Sequence, residues 1–183
     1  MKKLILVIVV ILAVTVGVMS VDPVKPGKSF PVIKEYGGVY DVPFAEKMPD
    51  PTLQYKIIVD VGEKNEKPAE LFAPFEHIAR MYNLHVYGGV PQKNLDVAVA
   101  LHSEAIFMTL NNEAYKKKFG VDNPNIKILS ELKEAGVKLF GCGQAIERNN
   151  IPKEDINQDI TVALSRFTVV SEYQMKGYAF FKY

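Results

Sequence analysis

Apolar residues along the chain follow two alternating patterns. Short runs of Val, Ile, Leu and aromatic residues predict five β-strands: residues 55–62, 96–103, 137–142, 159–164 and 178–183. Longer stretches, with apolar residues three or four positions apart, predict helices: residues 71–82, 104–120, 125–136, 144–150 and 165–177.

Some local details follow from Pro, Gly and capping residues. Pro74 falls inside the first helical pattern, so that helix either begins near Pro74 or is kinked there. Residues 84–89 are predicted to form a short strand or a loop. Ser103 is a candidate N-cap for the second helix, and Gly120 follows its last basic turn.

The order of these elements predicts the fold class. Strands and helices alternate, and the most continuous apolar strands are apolar on both faces, as parallel strands covered by helices must be. We therefore expect an α/β fold: a Rossmann-like layered, mainly parallel sheet of about five strands with helices on both faces. In such sheets ligands bind outside the carboxyl ends of the strands.

The N-terminal segment has the pattern of a secretory signal peptide over residues 1–20, with a short basic start and an apolar run. The run spans about 15 residues, whereas a membrane-spanning helix needs roughly 20. We expect cleavage after Ser20, export to the periplasm and no stable membrane insertion afterwards; the alternative is a retained inner-membrane anchor that faces the periplasm. Residues 21–54 are rich in Pro and Gly and predict an extended arm, and residues 55–183 predict a single domain.

Charge and cysteine content narrow the function classes. Without residues 1–20 the chain has 20 basic and 21 acidic side chains, a formal charge of −1. This balance does not suit nucleic acid or anionic lipid as a partner. Cys142 is the single cysteine, so no internal disulfide can form. It is buried and inert, paired with another chain, or free and functional.

The predicted strand ends bring candidate catalytic residues to one edge of the sheet. One strand ends at His102 and Ser103, and the next ends at Cys142. The helix that follows begins near Gln144, and the partial positive charge of a helix N-terminus favours a thiolate. Because the thiolate is the nucleophile, this placement suits a reactive cysteine, and His102 could stabilise it or move a proton.

Gly141 and Gly143 flank the cysteine and are predicted, with Ser103 and Gln144, to border a substrate pocket. The competing interpretation is structural: cysteine often fills an apolar core, and glycines often serve a strand-to-helix turn. Three scattered histidines and one cysteine show no metal-ligand spacing, so no metal is expected. No dinucleotide or phosphate-binding motif is present, so no cofactor is expected.

Three spaced segments together resemble the DsrE/DsrF-like family of sulfur-relay proteins. They are VALHSEAI at residues 99–106, NPNIKILSELKEAGVKLFGCGQAIERNNI at residues 123–151, and ITVALSRFTVVSEYQMKGYAFFKY at residues 160–183. The resemblance implies a Rossmann-like domain that assembles as a trimer or hexamer. It also implies that a cysteine at the position of Cys142 carries sulfur as a persulfide and exchanges it with a donor or acceptor protein.

Three functions are open at this point. The first is an exported, sulfurtransferase-like protein that binds or transfers sulfane sulfur through Cys142. The second is a non-catalytic oligomeric binding or scaffold module in which Cys142 is structural. The third is a redox protein in which Cys142 pairs with another chain; a lone thiol cannot run dithiol chemistry by itself.

Overall fold

The structure, a computed structural model, describes residues 27–183. The predicted signal peptide and the first residues of the predicted arm, 21–26, lie outside the described residues. The described strands are β1 Lys28–Ser29, β2 Val39–Tyr40, β3 Tyr55–Val61, β4 Leu95–Leu101, β5 Lys138–Cys142, β6 Thr161–Ala163 and β7 Ala179–Lys182. The described α-helices are α1 Ala73–Tyr87, α2 Asn112–Phe119, α3 Ile126–Glu134, α4 Gly143–Arg148 and α5 Arg166–Met175.

Five of the strands form one sheet in the order β6-β5-β4-β3-β7, and every neighbouring pair is parallel. The two most apolar strands, β3 and β4, lie near its middle, where both faces must be covered. The predicted α/β class and the five-strand parallel sheet are confirmed.

Helices cover both faces of the sheet. One face carries Val59 and Val99, which belong to a large core with apolar residues of α1 and α3. The opposite face carries Ile58 and Ala100, which pack against Val169 and other residues of α5. The main face is therefore filled by several helices, and α5 packs over β3, β4 and β5 on the other.

Helix α1 is longer than the sequence predicts. Residues 84–87 continue the helix instead of forming a strand or loop, because the chain leaves helical geometry only at a glycine pair. Gly88 N–H donates to the carbonyl of Leu84 at 2.9 Å, and Gly89 has a φ of 97°, in the left-handed region that favours glycine. Pro74 lies in the first turn of α1, where its missing N–H is tolerated, so the helix begins there without a kink.

The single helix predicted for residues 104–120 is two elements. Ser103–Thr109 forms a 3₁₀ helix, and α2 begins after a break, with Asn111 as its N-cap. Asn111 accepts a hydrogen bond from Ala114 N–H at 2.9 Å. Ser103 is not a cap: its φ is 48°, and its hydroxyl contacts the ring of His102 instead.

The buried side-chain amide of Asn83 in α1 holds the described part of the arm in place. Asn83 accepts hydrogen bonds from the backbone N–H groups of Val32 and Ile33, at 3.1 and 3.0 Å, and donates to three carbonyls of the same segment. Ile33 is 1% exposed and belongs to the main core. Gly37 allows the close approach, since a Cβ there would lie 2.3 Å from the backbone of Ala79.

Candidate active site at the carboxyl edge of the sheet

Parallel register brings three polar side chains to one edge of the sheet. Asp60, at the end of β3, is in register with Ala100. Leu101 of β4 is in register with Gly141 of β5, so the residues that follow them, His102 and Cys142, leave neighbouring strands at the same level.

Cys142 is the last residue of β5 and the N-cap of α4, the strand-to-helix position that the sequence predicts. Its residue is 6% exposed, and it belongs to the main core cluster. The thiol therefore sits at the boundary between the core and a surface cavity. It forms no disulfide.

That cavity has a volume of about 470 Å³ and opens at the carboxyl edge of the sheet. This size is within the usual range for small-molecule sites. It combines one thiol, one imidazole, two guanidinium groups and three hydroxyl or amide side chains with an aromatic ring. The lining residues are His102, Ser103, Cys142, Gln144, Ala145, Arg148, Ser165, Arg166 and Phe167.

The imidazole of His102 has contacts at both nitrogens. Nδ1 lies 2.9 Å from the hydroxyl oxygen of Ser103, and Nε2 lies 3.1 Å from Oδ1 of Asp60. The second contact is at ion-pair distance but lacks hydrogen-bond alignment, and neither buried atom has another partner among the described residues. A carboxylate can only accept, so the contact favours a proton on Nε2, and Nδ1 then accepts from Ser103.

Gly62 provides the space for this ring. A Cβ at Gly62 would lie 2.4 Å from Cε1 of His102 and 2.8 Å from Nε2. Any larger residue would displace the imidazole from its place beside Asp60.

Asp60 joins the imidazole to α5. The carboxylate is 1% exposed, and its Oδ2 accepts a hydrogen bond from Nη1 of Arg166 at 3.0 Å. Arg166 is the first residue of α5 and follows Ser165, whose hydroxyl caps the helix by accepting from Phe167 N–H at 3.2 Å. The cap and the ion pair together fix the start of α5 against the sheet edge.

Burial lowers the pKa of His102 below its ordinary value of 6.5, because the charged ring would lose its hydration. The positive charges of Arg166 and Lys182 lower it further, and Asp60 acts in the opposite direction. The net direction is downward, so the imidazole is neutral at pH 7. Its contact with Asp60 is then one between a neutral ring and a carboxylate.

The structure places four of the sequence-predicted site residues in this cavity: Cys142, His102, Ser103 and Gln144. Gly141 and Gly143 are not among its lining residues. A Cβ on Gly141 would meet Ile160 at 3.1 Å, and one on Gly143 would meet the carbonyl oxygen of Ala163 at 2.8 Å. Gly141 therefore lets β5 pack closely against Ile160, and Gly143 lets the start of α4 pack against the backbone of Ala163. Their part in exposing the thiol stays a prediction.

Sequence reasoning missed Asp60, Arg148 and Arg166. The sequence could have indicated Asp60 as a site residue, because it is the single charged residue in the apolar strand segment IIVDV. A charge there is costly unless it is paired. Neither arginine could be identified from the sequence, because Arg148 and Arg166 belong to different helices that meet at the cavity only in the folded protein.

The described residues were also compared with the requirements of a metal site and of a membrane-spanning helix. No group of three or more His, Cys, Asp or Glu side chains within residues 27–183 is placed to hold a metal ion. Over the same residues, no helix has both the length and the apolar character that a bilayer crossing requires.

The fold and site define a class: a parallel α/β protein with a lone cysteine where a strand meets a helix. The model of the DsrE/DsrF-like family matches residues 56–183, and the chain belongs to this family. The family resemblance drawn from the sequence is thus confirmed. No curated protein sequence matches the chain.

Two solved structures share the fold. One is the protein of unknown function MTH1491 from Methanobacterium thermoautotrophicum, with 16% sequence identity and a TM-score of 0.54 over 70% of this chain and 99% of that chain. The other is the ychN protein from E. coli, with 15% identity and a TM-score of 0.53 over 70% of this chain and 99% of that chain. At these identities the likeness shows the fold alone.

Proposed function

We propose that this protein is an exported sulfur carrier that binds sulfane sulfur as a persulfide on Cys142 and passes it to an acceptor. One observation carries the proposal: in a member of the DsrE/DsrF-like family, the lone thiol lines a surface cavity at the carboxyl edge of the sheet. Ligand sites of open parallel sheets lie at this edge.

The chemistry needs one thiol and no second cysteine. The Cys142 thiolate attacks the outer sulfur of a donor, a new S–S bond forms at Sγ, and the donor leaves with the electron pair of the bond that breaks. Transfer to an acceptor thiolate is the same step in reverse. No external oxidant or reductant is consumed.

His102 is suited to receive the thiol proton because it lines the same cavity as Cys142 and because its lowered pKa keeps it neutral at pH 7. Nδ1 accepts the proton once the hydroxyl of Ser103, 2.9 Å away, rotates from donor to acceptor. The carboxylate of Asp60 stabilises the resulting imidazolium. Ser103 and Asp60 act as positioning residues in this step.

We also propose that the chain works as a homo-oligomer, a trimer or hexamer. Large apolar side chains are exposed near both edge strands of the sheet, and such surfaces are typical of interfaces. They are Val162, Leu164, Phe167, Phe180 and Phe181. Phe167 also lines the Cys142 cavity, so an interface there would border the site. Light scattering that gives a monomer mass throughout the micromolar range would reject the assembly.

Export is proposed from the signal-like residues 1–20. Intact-mass analysis of the native protein should then give a chain that begins near Val21. A chain that keeps Met1 and fractionates with the inner membrane would support the retained anchor instead.

A scaffold function is favoured by a different observation, the 6% exposure of Cys142. In that case the thiol is a core residue and alkylates only when the protein unfolds. In the carrier, iodoacetamide modifies Cys142 under conditions where the fold is intact.

The direct test is mass spectrometry of the purified mature protein after incubation with polysulfide. The carrier gains sulfur on the peptide that contains Cys142, and Cys142→Ser gains none. Reduction with a thiol reagent returns the original mass. Absence of added sulfur on a protein whose Cys142 alkylates readily would reject the carrier function.

A further inference from the structure

The residues that surround Cys142 differ in charge from the rest of the chain, which is close to neutral. Arg148 and Arg166 line the cavity, and none of its lining residues is an Asp or Glu. We propose that the cavity selects small anionic sulfane-sulfur donors, of which thiosulfate is the simplest, over neutral ones. This inference rests on the proposed sulfur-carrier function and names the substrate class of the same site.

The two arginines have different surroundings. Arg166 is neutralised by Asp60, which accepts from its Nη1. Arg148, in the last turn of α4, forms no ion pair or side-chain hydrogen bond with any residue in the described part of the chain. When Asp60 is counted with the lining residues and His102 is neutral, the site keeps one net positive charge, which Arg148 supplies.

Arg166 also has donors left for a ligand. A guanidinium has five N–H donors, and one nitrogen of Arg166 is engaged by Asp60. Planar guanidinium groups bind oxyanions through paired hydrogen bonds. The buried ion pair orients Arg166, and Arg148 adds a second guanidinium to the lining of the cavity that also contains Cys142. A donor with a reactive sulfur and an anionic end therefore meets the thiol and cationic side chains in the same cavity.

The reaction with thiosulfate balances without a further reactant. The Sγ thiolate of Cys142 attacks the outer sulfur of thiosulfate, and the Sγ–S bond forms. The S–S bond of thiosulfate breaks, and sulfite leaves with its electron pair. The proton released when the thiol ionised resides on His102 or in solvent. The arginines stabilise negative charge on both the donor and the departing sulfite.

The first experiment needs no sulfur chemistry. Rates of Cys142 alkylation by iodoacetate, an anion, and by iodoacetamide, its neutral analogue, are measured on the full chain and on a neutral peptide thiol. The iodoacetate-to-iodoacetamide ratio should be about fivefold higher for the protein at low salt, and it should fall as salt screens the site. Arg148→Gln should remove most of this preference.

Lys133→Gln is the matched control, because Lys133 is an exposed cation on α3 and does not line the cavity. It removes one positive charge and should leave the ratio unchanged. A ratio equal to that of the peptide thiol, or equal losses in Arg148→Gln and Lys133→Gln, overturns the anion preference.

The second experiment compares the rate of sulfur loading from thiosulfate with the rate at which Cys142 reacts with a neutral organic trisulfide. Attack on an outer sulfur of the trisulfide leaves a mixed disulfide on Cys142 and expels an organic persulfide, so the product is followed by its mass. Arg148→Gln should slow loading from thiosulfate by about fivefold or more beyond any change in the rate of the trisulfide reaction. Equal effects on both donors overturn the anion preference while the carrier function stands. If neither thiosulfate nor polysulfide loads Cys142 although the trisulfide reacts with it, the carrier function fails, and the anion preference as a substrate preference fails with it.

Discussion

Nε2 of His102 lies 3.1 Å from Oδ1 of Asp60, and the other oxygen of that carboxylate lies 3.0 Å from Nη1 of Arg166. An almost fully buried acid thus joins the imidazole beside Cys142 to the first residue of α5. The charges of Asp60 and Arg166 should therefore control the pKa of His102.

The pKa of His102 is a direct measure of this coupling. We expect it to lie below 6.5 in the native protein. Arg166→Gln removes a charge that lowers it, so the pKa should rise; Asp60→Asn removes the charge that raises it, so the pKa should fall further. NMR titration of the ring protons checks both shifts, and shifts of the same sign in the two variants would contradict the coupling.

The lowered pKa also predicts how stability depends on pH. The unfolded chain binds a proton at His102 near pH 6.5, and the folded chain binds it only at lower pH. The stabilisation is therefore complete above pH 6.5 and is lost as the pH falls through the folded pKa. Urea unfolding between pH 7 and pH 5 should show a smaller loss in His102→Gln than in the native protein, whereas His77→Gln, at an exposed position, should keep the native slope.

Gly62→Ala should disturb the site without touching any polar group. The new Cβ would lie 2.4 Å from Cε1 of His102, so the ring must move away from Asp60. We expect a loss of about 1–3 kcal/mol in the free energy of unfolding and changed His102 ring resonances. Gly27→Ala, where nothing lies within 4 Å, is the control and should change neither.

Much of the site could be predicted because parallel strands end at one edge. That rule alone brings together His102 and Cys142, which lie 40 residues apart in the sequence, because Leu101 is in register with Gly141. Arg166 could not be found in this way, since its place depends on α5 crossing back over β3, β4 and β5. The break before α2 was missed because Leu110 leaves the helical path and pairs with Ile156, a long-range contact that depends on tertiary packing.

Cys142→Ser tests how much of the core depends on the thiol. Because Cys142 lines a cavity, water can reach the new hydroxyl, and we expect a loss below about 1 kcal/mol in the free energy of unfolding. A cysteine enclosed by the core would instead leave the hydroxyl unpaired, at a cost of about 1–3 kcal/mol. Thermal or urea unfolding of the purified variant distinguishes the two.

Asn83→Ala should release the arm from α1. The change removes five hydrogen bonds to backbone groups of residues 32–37 and leaves buried groups without partners. We expect a loss of about 3 kcal/mol in the free energy of unfolding, together with faster proteolysis of the arm. Asn94→Ala removes a half-buried amide whose hydrogen bonds to Pro51 and Gln54 of the arm are exposed to solvent, and it should cost less than about 1 kcal/mol.

The described arm begins at the edge of the sheet opposite to the one where Cys142 lies. Lys28 pairs with Tyr40, which lines one cavity together with His85 near the end of α1. The ring of His85 in turn lies 4.8 Å from that of Tyr55, the first residue of β3. The chain therefore enters the described domain at the amino edge of the sheet, while Cys142 opens at the opposite edge. A donor or acceptor protein that docks at the Cys142 cavity therefore meets a face of the domain that the arm leaves uncovered.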